Sequence, residues 1–465
     1  MSGLLLAAGS LSFLSACTDD PKGSSGNEVV AFKITVDGAE KAGTKSEFGD
    51  TVKFTMAPGE DLNKLKGLTA DIYISAYATI NPLPSEPQDF SEPVTYEVKA
   101  QDGTVRKWVI AWSHGQWIPS GEGAGPGLQL WHKTPAELGI ANSGNESSAA
   151  VCGDYLVFSR TGVMVDRLTG EKVDGKKLNM TGLPGASSQA FYLTNDDAGH
   201  LIGCTLPAIA DQMFNIYMWT SADAAPQLLY SLNCTGMAAA PGRKLDVTGD
   251  ITGDAIIVSP LGGNPITGKF KRWKVTGGAI AELDELDTTV PSPAPSFKMS
   301  WQSMAMSAPK ADSRVYLTYY GWYVNGNSWA GMVIKYGPSG STVANMSSYR
   351  GTFIYDWGTS GGDYWGNYPG GHVSTFDYNG KTYVAACGAY WSKWTYAITA
   401  EEKITDGCAA QNVATIYGDL ESNAVNVGST NATASITASP VDDGVMIYIY
   451  IEGNGVTCCK LSRYR

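Results

Sequence analysis

Twenty of the 78 residues from Tyr319 to Tyr396 are aromatic, against 11% in the whole chain. They fall in YYGWYVNGNSWAG, FIYDWGTSGGDYWGNYPGGH and AYWSKWTY. Trp322, Tyr323, Trp329, Trp357, Tyr364, Trp365, Tyr368 and Trp391 are interleaved with Gly, Asn, Asp and Pro, residue types that favour loops over strands. A ring held in a loop offers an apolar face with a polar edge, and the flat C–H face of a pyranose can stack on it. Asp356, Asp363, Asn367 and His372 would then exchange hydrogen bonds with the sugar hydroxyls. The competing reading is that about half of these rings fill gaps between packed sheets.

Other candidate chemistry lacks its context. Gly358-Thr359-Ser360-Gly361-Gly362 matches G-x-S-x-G, but a nucleophile elbow needs a strand-to-helix turn and no helix pattern follows. The chain has only four His, and none stands in a recognisable triad frame. Asp246, Asp250 and Asp254 recur every fourth residue in DVTGDITGD. A calcium loop needs more oxygens in a tight ring, so these read as solvated turn residues between two strands. Spacing in sequence cannot show the paired carboxylates that a glycosidase requires. Asp166-Arg167-Leu168-Thr169-Gly170 resembles one repeat of a quinoprotein propeller, a motif that family repeats in most blades; here it occurs once and reads as a plain turn. No metal and no cofactor is expected.

The elements that must position these residues are strands. The chain has 465 residues with 54 Gly and 17% charged residues, a composition of turns more than of helices. Its length exceeds what one hydrophobic core supports, so at least two domains are expected. The net charge of −12 repels a phosphate backbone and argues against nucleic-acid binding. Residues 28–112 alternate apolar and polar positions in VVAFKITV, TVKFTMA, VTYEVKA and RKWVIAW, with a hairpin signal at Asp102-Gly103. That is the size of an immunoglobulin-like sandwich. Residues 113–127 carry five Gly and two Pro and read as a linker. From residue 128 to 465 a unit recurs: GDYLVFS, HLIGCTL, GDAIIVS, SRVYLTYY, KTYVAAC and GVMIYIYI are each followed by an aromatic-containing or apolar strand. A period near 50 residues marks a β-propeller of six blades, with seven the other count. A large sandwich or a β-helix is the competing architecture. LQLWH at 128–132 would close the ring by pairing with the last strand, which removes an open edge. The fold class is therefore all-β, an Ig-like sandwich followed by a propeller.

The leading segment reads as an address. Residues 1–16 hold the apolar run GLLLAAGSLSFLSA, too short to span a bilayer and suited to a secretory signal. Leu14-Ser15-Ala16-Cys17 resembles a lipobox, which would make Cys17 the lipidated residue, with 17–27 as a flexible tether. The acidic pair behind Cys17 is similar to the surface-export signal of Bacteroidetes-type lipoproteins. The order FKITVDG, GDTVKFTMAPGEDL, ISAYATINPLP and DFSEPVTYEVKAQDGTVRKWVIAW resembles the small Ig-like domain that opens many such lipoproteins, where it serves as a spacer, and the layout behind it resembles their propellers. Seven further Cys show no metal spacing; Cys152, Cys204 and Cys387 lie in strand-like runs and read as buried thiols.

The resemblance implies a lipid-anchored outer-membrane protein facing the cell exterior. Three functions are consistent with it. The first is a non-catalytic lipoprotein that binds an oligosaccharide or polysaccharide through the aromatic loops. The second is a carbohydrate-active enzyme, a glycoside hydrolase or lyase, marked by carboxylates of raised pKa at the channel mouth. The third is an interaction scaffold for outer-membrane protein partners, marked by a flat apolar patch. The absence of a complete catalytic motif favours the first.

Overall fold

The computed structural model describes residues 23–46, 49–125, 127–141, 146–184, 191–207, 211–242, 244–263, 269–287, 298–322, 334–336, 342–345, 371–390, 393–404, 414–415 and 434–465. These form two compact units, one drawn from residues up to 113 and one mainly from His114–Arg465. No helix among them is long and apolar enough to cross a membrane.

In the first unit, period-two alternation becomes two-sided strands. Val29–Val36 buries Val29, Phe32, Ile34 and Val36 and pairs antiparallel with Ala70–Ile74. Val94–Lys99 pairs with Val105–His114 and sets Tyr96 opposite Trp108, both fully buried. Phe32 packs between Phe54 and Phe90, with ring centroids 5.8 and 5.9 Å away. The ammonium of Lys45 and the guanidinium of Arg106 lie 4.8 and 4.7 Å from the Trp108 ring centroid, so cations cap the core's largest ring.

The second unit is a propeller. Five blades run in chain order, and within each every strand pairs antiparallel with the next. The first comprises Ala149–Cys152, Tyr155–Phe158, Val163–Asp166 and Lys172–Lys177. The second comprises Phe191–Asn195, Leu201–Thr205, Met213–Trp219 and Gln227–Asn233. The third comprises Asp246–Gly249, Ala255–Pro260, Lys269–Thr276 and Ala279–Asp287. The fourth comprises Lys298–Met306, Val315–Trp322, Ile334–Tyr336 and Thr342–Asn345, and the fifth His372–Tyr378, Lys381–Tyr390 and Lys393–Ala400. A composite sheet completes the ring: Ala434–Val441 innermost, then Gly444–Ile451, Gly455–Ser462 and Gly127–Lys133, with Ala414–Thr415 alongside. The innermost strand of each sheet packs on those of both neighbours, and the circuit closes where Ala434–Val441 meets Ala149–Cys152.

Apolar side chains on both faces of each blade fill the wedges between sheets. Tyr192, Ile216 and Phe214 of the second blade meet Val247, Ile257 and Trp273 of the third, with Phe214 stacked on Trp273 at 5.1 Å. Phe158 of the first blade meets Tyr450 of the closing sheet edge-on at 5.8 Å. Strands buried on both faces read as continuous apolar runs, which is why GVMIYIYI shows no alternation.

The closing strand expected at 128–132 is present as Gly127–Lys133, antiparallel to Gly455–Ser462 with Gln129 opposite Cys459 and Trp131 opposite Cys458. Gly455 makes this approach possible: its φ is +95°, and a Cβ there would lie 2.0 Å from the Lys133 carbonyl oxygen. The Gly-rich stretch expected as a linker is bonded along its length to this unit. Gln116 and Arg465 exchange backbone hydrogen bonds of 2.7 and 3.1 Å, Ile118 N donates to Arg463 O, and Gly125 N donates to Ser462 O. The Asn379 side-chain amide donates to the carbonyls of Pro119 and Gly123 at 2.9 and 2.7 Å.

Cys152, Cys204, Cys234, Cys387, Cys458 and Cys459 are free and buried. Burial pushes the Cys152 thiol up to about 11 and that of Cys459 to about 12, so both are unreactive at neutral pH. Cys17 lies outside the described residues.

Candidate functional site

The inner strands all run the same way along the ring axis, so their beginnings define an entry end and their last residues an exit end. Tyr192, Lys244 and His372, from the second, third and fifth blades, meet near the axis toward the entry end. The rings of Tyr192 and His372 stand edge to face with centroids 5.7 Å apart. Lys244 Nζ lies 5.1 Å from the Tyr192 ring centroid and donates to the Ala434 carbonyl at 2.8 Å, reaching across to the closing sheet. His372 Nδ1 sits 3.0 Å from the carbonyl oxygen and 3.1 Å from the amide nitrogen of Ile436. Burial, reinforced by the Lys244 charge, holds the His372 imidazole down at about 3. The structure therefore moves His372 from the expected set of solvent-facing ligand contacts into the core: it is 2% exposed and opens an inner strand. Its neutral ring braces three blades.

Of the other expected ligand contacts, Trp322 ends the strand Val315–Trp322, where its backbone pairs with Lys298. Tyr323, Trp329, Asp356, Trp357, Asp363, Tyr364, Trp365, Asn367, Tyr368 and Trp391 lie outside the described residues, as does Ser360. The described strand ends on either side of these segments fall at the entry end. Trp322 pairs with the start of the inner strand Lys298–Met306, and Tyr390 pairs with Lys393 beyond the register that sets Cys387 opposite His372. Elsewhere in the aromatic stretch, Phe376 and Tyr383 stack at 5.2 Å inside the core between the fifth blade and the closing sheet. These two rings follow the packing alternative.

The exit end carries carboxylates. Asp196 and Asp197 follow the inner strand of the second blade, and Asp250 follows that of the third. The Asp196 carboxylate accepts hydrogen bonds from the backbone of His200 at 2.7 Å and of Ile251 at 2.9 Å, so it belongs to the turns of both blades. His200 Nδ1 lies 2.8 Å from Asp196 Oδ2 and 3.6 Å from Asp250 Oδ1. Asp197 accepts from Gly249 N at 2.6 Å, and burial pushes its carboxyl up to about 6.

The run DVTGDITGD divides differently from its expected reading. Asp250 accepts from Thr252 N and Oγ1 at 2.8 and 2.7 Å, and Asp254 accepts from Gly277 N; both are turn residues. Asp246 is instead the first residue of an inner strand that runs to Gly249, and it is only 4% exposed. Burial, with the nearby Asp197 charge, raises its carboxyl well above the usual range. Carboxylates of raised pKa were the expected mark of an enzyme at the channel mouth. Here Asp246 and Glu146, both raised by burial, stand at or just before the starts of inner strands but are 4% and 1% exposed, whereas Asp197 lies at the exit end, away from the strand ends that flank the aromatic segments. Asp166 accepts from Leu168 N and Thr169 N, both at 2.9 Å, which is the turn role read for DRLTG.

Sequence reasoning missed the meeting of Asp196, His200 and Asp250. The i, i+4 pair across a short turn was a visible signal, while the third member comes from the next blade and needed the ring to be known.

Comparison with known proteins follows the division into units. A family model described as SGBP, N-terminal, matches residues 29–111, and one described as Domain of unknown function (DUF8500) matches residues 129–464. A search of curated proteins gives no match. Among solved structures, a DUF4623 family protein from Bacteroides eggerthii is 12% identical, with a TM-score of 0.42, over 94% of this chain and 98% of that one. An α-L-arabinanase from Penicillium chrysogenum, complexed with arabinobiose, is 9% identical, with a TM-score of 0.36, over 75% of this chain and 97% of that one.

Proposed function

The chain belongs to the family described as a domain of unknown function (DUF8500), and from that premise we propose that it binds glycans at the cell surface and does not cleave them. The observation that carries this reading is the match of residues 29–111 to the SGBP N-terminal family, a family associated with surface glycan binding. The aromatic segments supply the binding chemistry. Three of them, within 323–333, 346–370 and 391–392, are bounded by strand ends at the entry end of the ring, so rings from neighbouring blades would share one ligand. Trp322, Trp329, Trp357, Trp365 and Trp391 stack on sugar faces, and Asp356, Asp363 and Asn367 bond hydroxyls. Lipidation of Cys17 anchors the protein to the outer membrane, with residues 17–27 as the tether and residues 28–112 as an Ig-like spacer.

Each stacked ring contributes about 1 kcal/mol, so micromolar affinity, about −8 kcal/mol, needs several rings on one ligand. A glycan array followed by calorimetry on the Trp357→Ala and Trp365→Ala variants tests this. One substitution should weaken binding severalfold and both together should nearly abolish it. Binding that survives both places the site elsewhere, and reducing ends released during incubation make the protein an enzyme. In cells, Cys17→Ala should release the protein from the membrane fraction; a variant still bound and labelled by fatty acid overturns the anchor.

A further inference from the structure

We propose that Asp196, His200 and Asp250 form a site for a first-row divalent cation at the exit end of the propeller, joining the second and third blades. One ligand atom from each lies within 4.8 Å of the others. Ligands about 2.0–2.2 Å from a common ion are separated by about 3–4.4 Å, so only a small side-chain adjustment brings all three into a coordination sphere. The donor set is one imidazole nitrogen and two carboxylate oxygens. Calcium prefers six to eight oxygens, while imidazole with carboxylate suits zinc or manganese.

The site is supported from both blades. Asp196 is fully buried, and its carboxylate is oriented by backbone N–H groups from the second-blade turn, at His200, and the third-blade turn, at Ile251. Second contacts of this kind fix a carboxylate for coordination. The other two ligands stay within reach of solvent: the His200 side chain is 30% exposed and that of Asp250 46%. An ion could therefore enter and keep water on its open positions. The simpler arrangement is a His200–Asp196 hydrogen bond that braces one turn. It accounts for the 2.8 Å contact, and the Asp250 oxygen 3.6 Å from the same nitrogen is held by its own turn, through Thr252 N and Oγ1, so zinc binding is what separates the two arrangements. This inference is independent of the glycan reading.

The test is zinc binding to the full chain after treatment with a chelator, by calorimetry and by metal analysis after dialysis. Wild type should hold one zinc per chain and melt a few degrees higher in its presence. Manganese should bind more weakly and calcium not at all. His200→Ala and Asp250→Asn, both at partly exposed positions, should each lower zinc affinity at least tenfold while leaving the metal-free melting temperature within a degree or two. Asp196→Ala is avoided because it would leave buried backbone donors unpaired. Wild type that takes up no zinc, or takes it up as tightly as the two variants do, overturns the site.

Discussion

His372 shows how a residue chosen for its chemistry can serve the fold. Its ring was expected beside aromatic loops because it closes the run WGNYPGGH, yet His372 is the first residue of an inner strand. Buried against Tyr192, Cys387 and Lys244, it stays neutral to about pH 3, whereas in the unfolded chain it titrates near 6.5. The sign follows from linkage. Above about pH 6.5 both states are neutral and the contribution is constant; below it only the unfolded chain gains a proton, so stability falls as pH falls toward 3. The slope from this residue is about 1.4 kcal/mol per pH unit. Urea unfolding at pH 7 and pH 5 should therefore show wild type losing about 2 kcal/mol more than His372→Gln. An equal loss in both proteins would mean that His372 is already solvated in the native state. Asp246 carries the same lesson in reverse: a fourfold spacing of acids suggested one solvated turn, but a single residue of strand extension decides whether a carboxylate meets water or core.

At the scale of elements, the sequence was most legible where burial is two-sided. The apolar runs read as second strands coincide with Tyr155–Phe158, Leu201–Thr205, Ala255–Pro260, Val315–Trp322, Lys381–Tyr390 and Gly444–Ile451. Such runs need no knowledge of their neighbours, since both faces are covered in any propeller. The Gly-rich stretch after residue 113 was less legible. Gly and Pro exclude a helix or a central strand, but they do not exclude an irregular segment whose amides find partners on a surface, as Gln116, Ile118 and Gly125 do. Gly455 gives an element-scale prediction. With its positive φ and the Lys133 carbonyl against its Cα, Gly455→Ala should destabilise the propeller by about 3 kcal/mol, whereas alanine at Gly175, also at positive φ but with open space around it, should cost about 1. Chemical unfolding of the two variants checks this, and equal effects would remove the crowding argument.

For the whole molecule, the ring explains which relationships no linear reading could supply. Asp250 meets Asp196 and His200 because adjacent blades turn their exits toward each other, and Lys244 reaches Ala434 because the axis lies between them. The closing sheet has a consequence in time. Gly127–Lys133 is made some 330 residues before the strand it pairs with, Gly455–Ser462. At about 5–20 residues per second, synthesis leaves that edge without its partner for roughly 15 to 70 seconds. During this interval the blades already made can stack, but the first one faces no last neighbour and the apolar edge is open to strands of other nascent chains. Completion is thus a single late event, and a chain stopped just before Gly455 should remain protease-sensitive and aggregate even though only one strand's worth of sequence is missing. Limited proteolysis of ribosome-released truncations would reveal this; a compact, resistant product lacking the final strand would show that the blades hold together before the circle is joined.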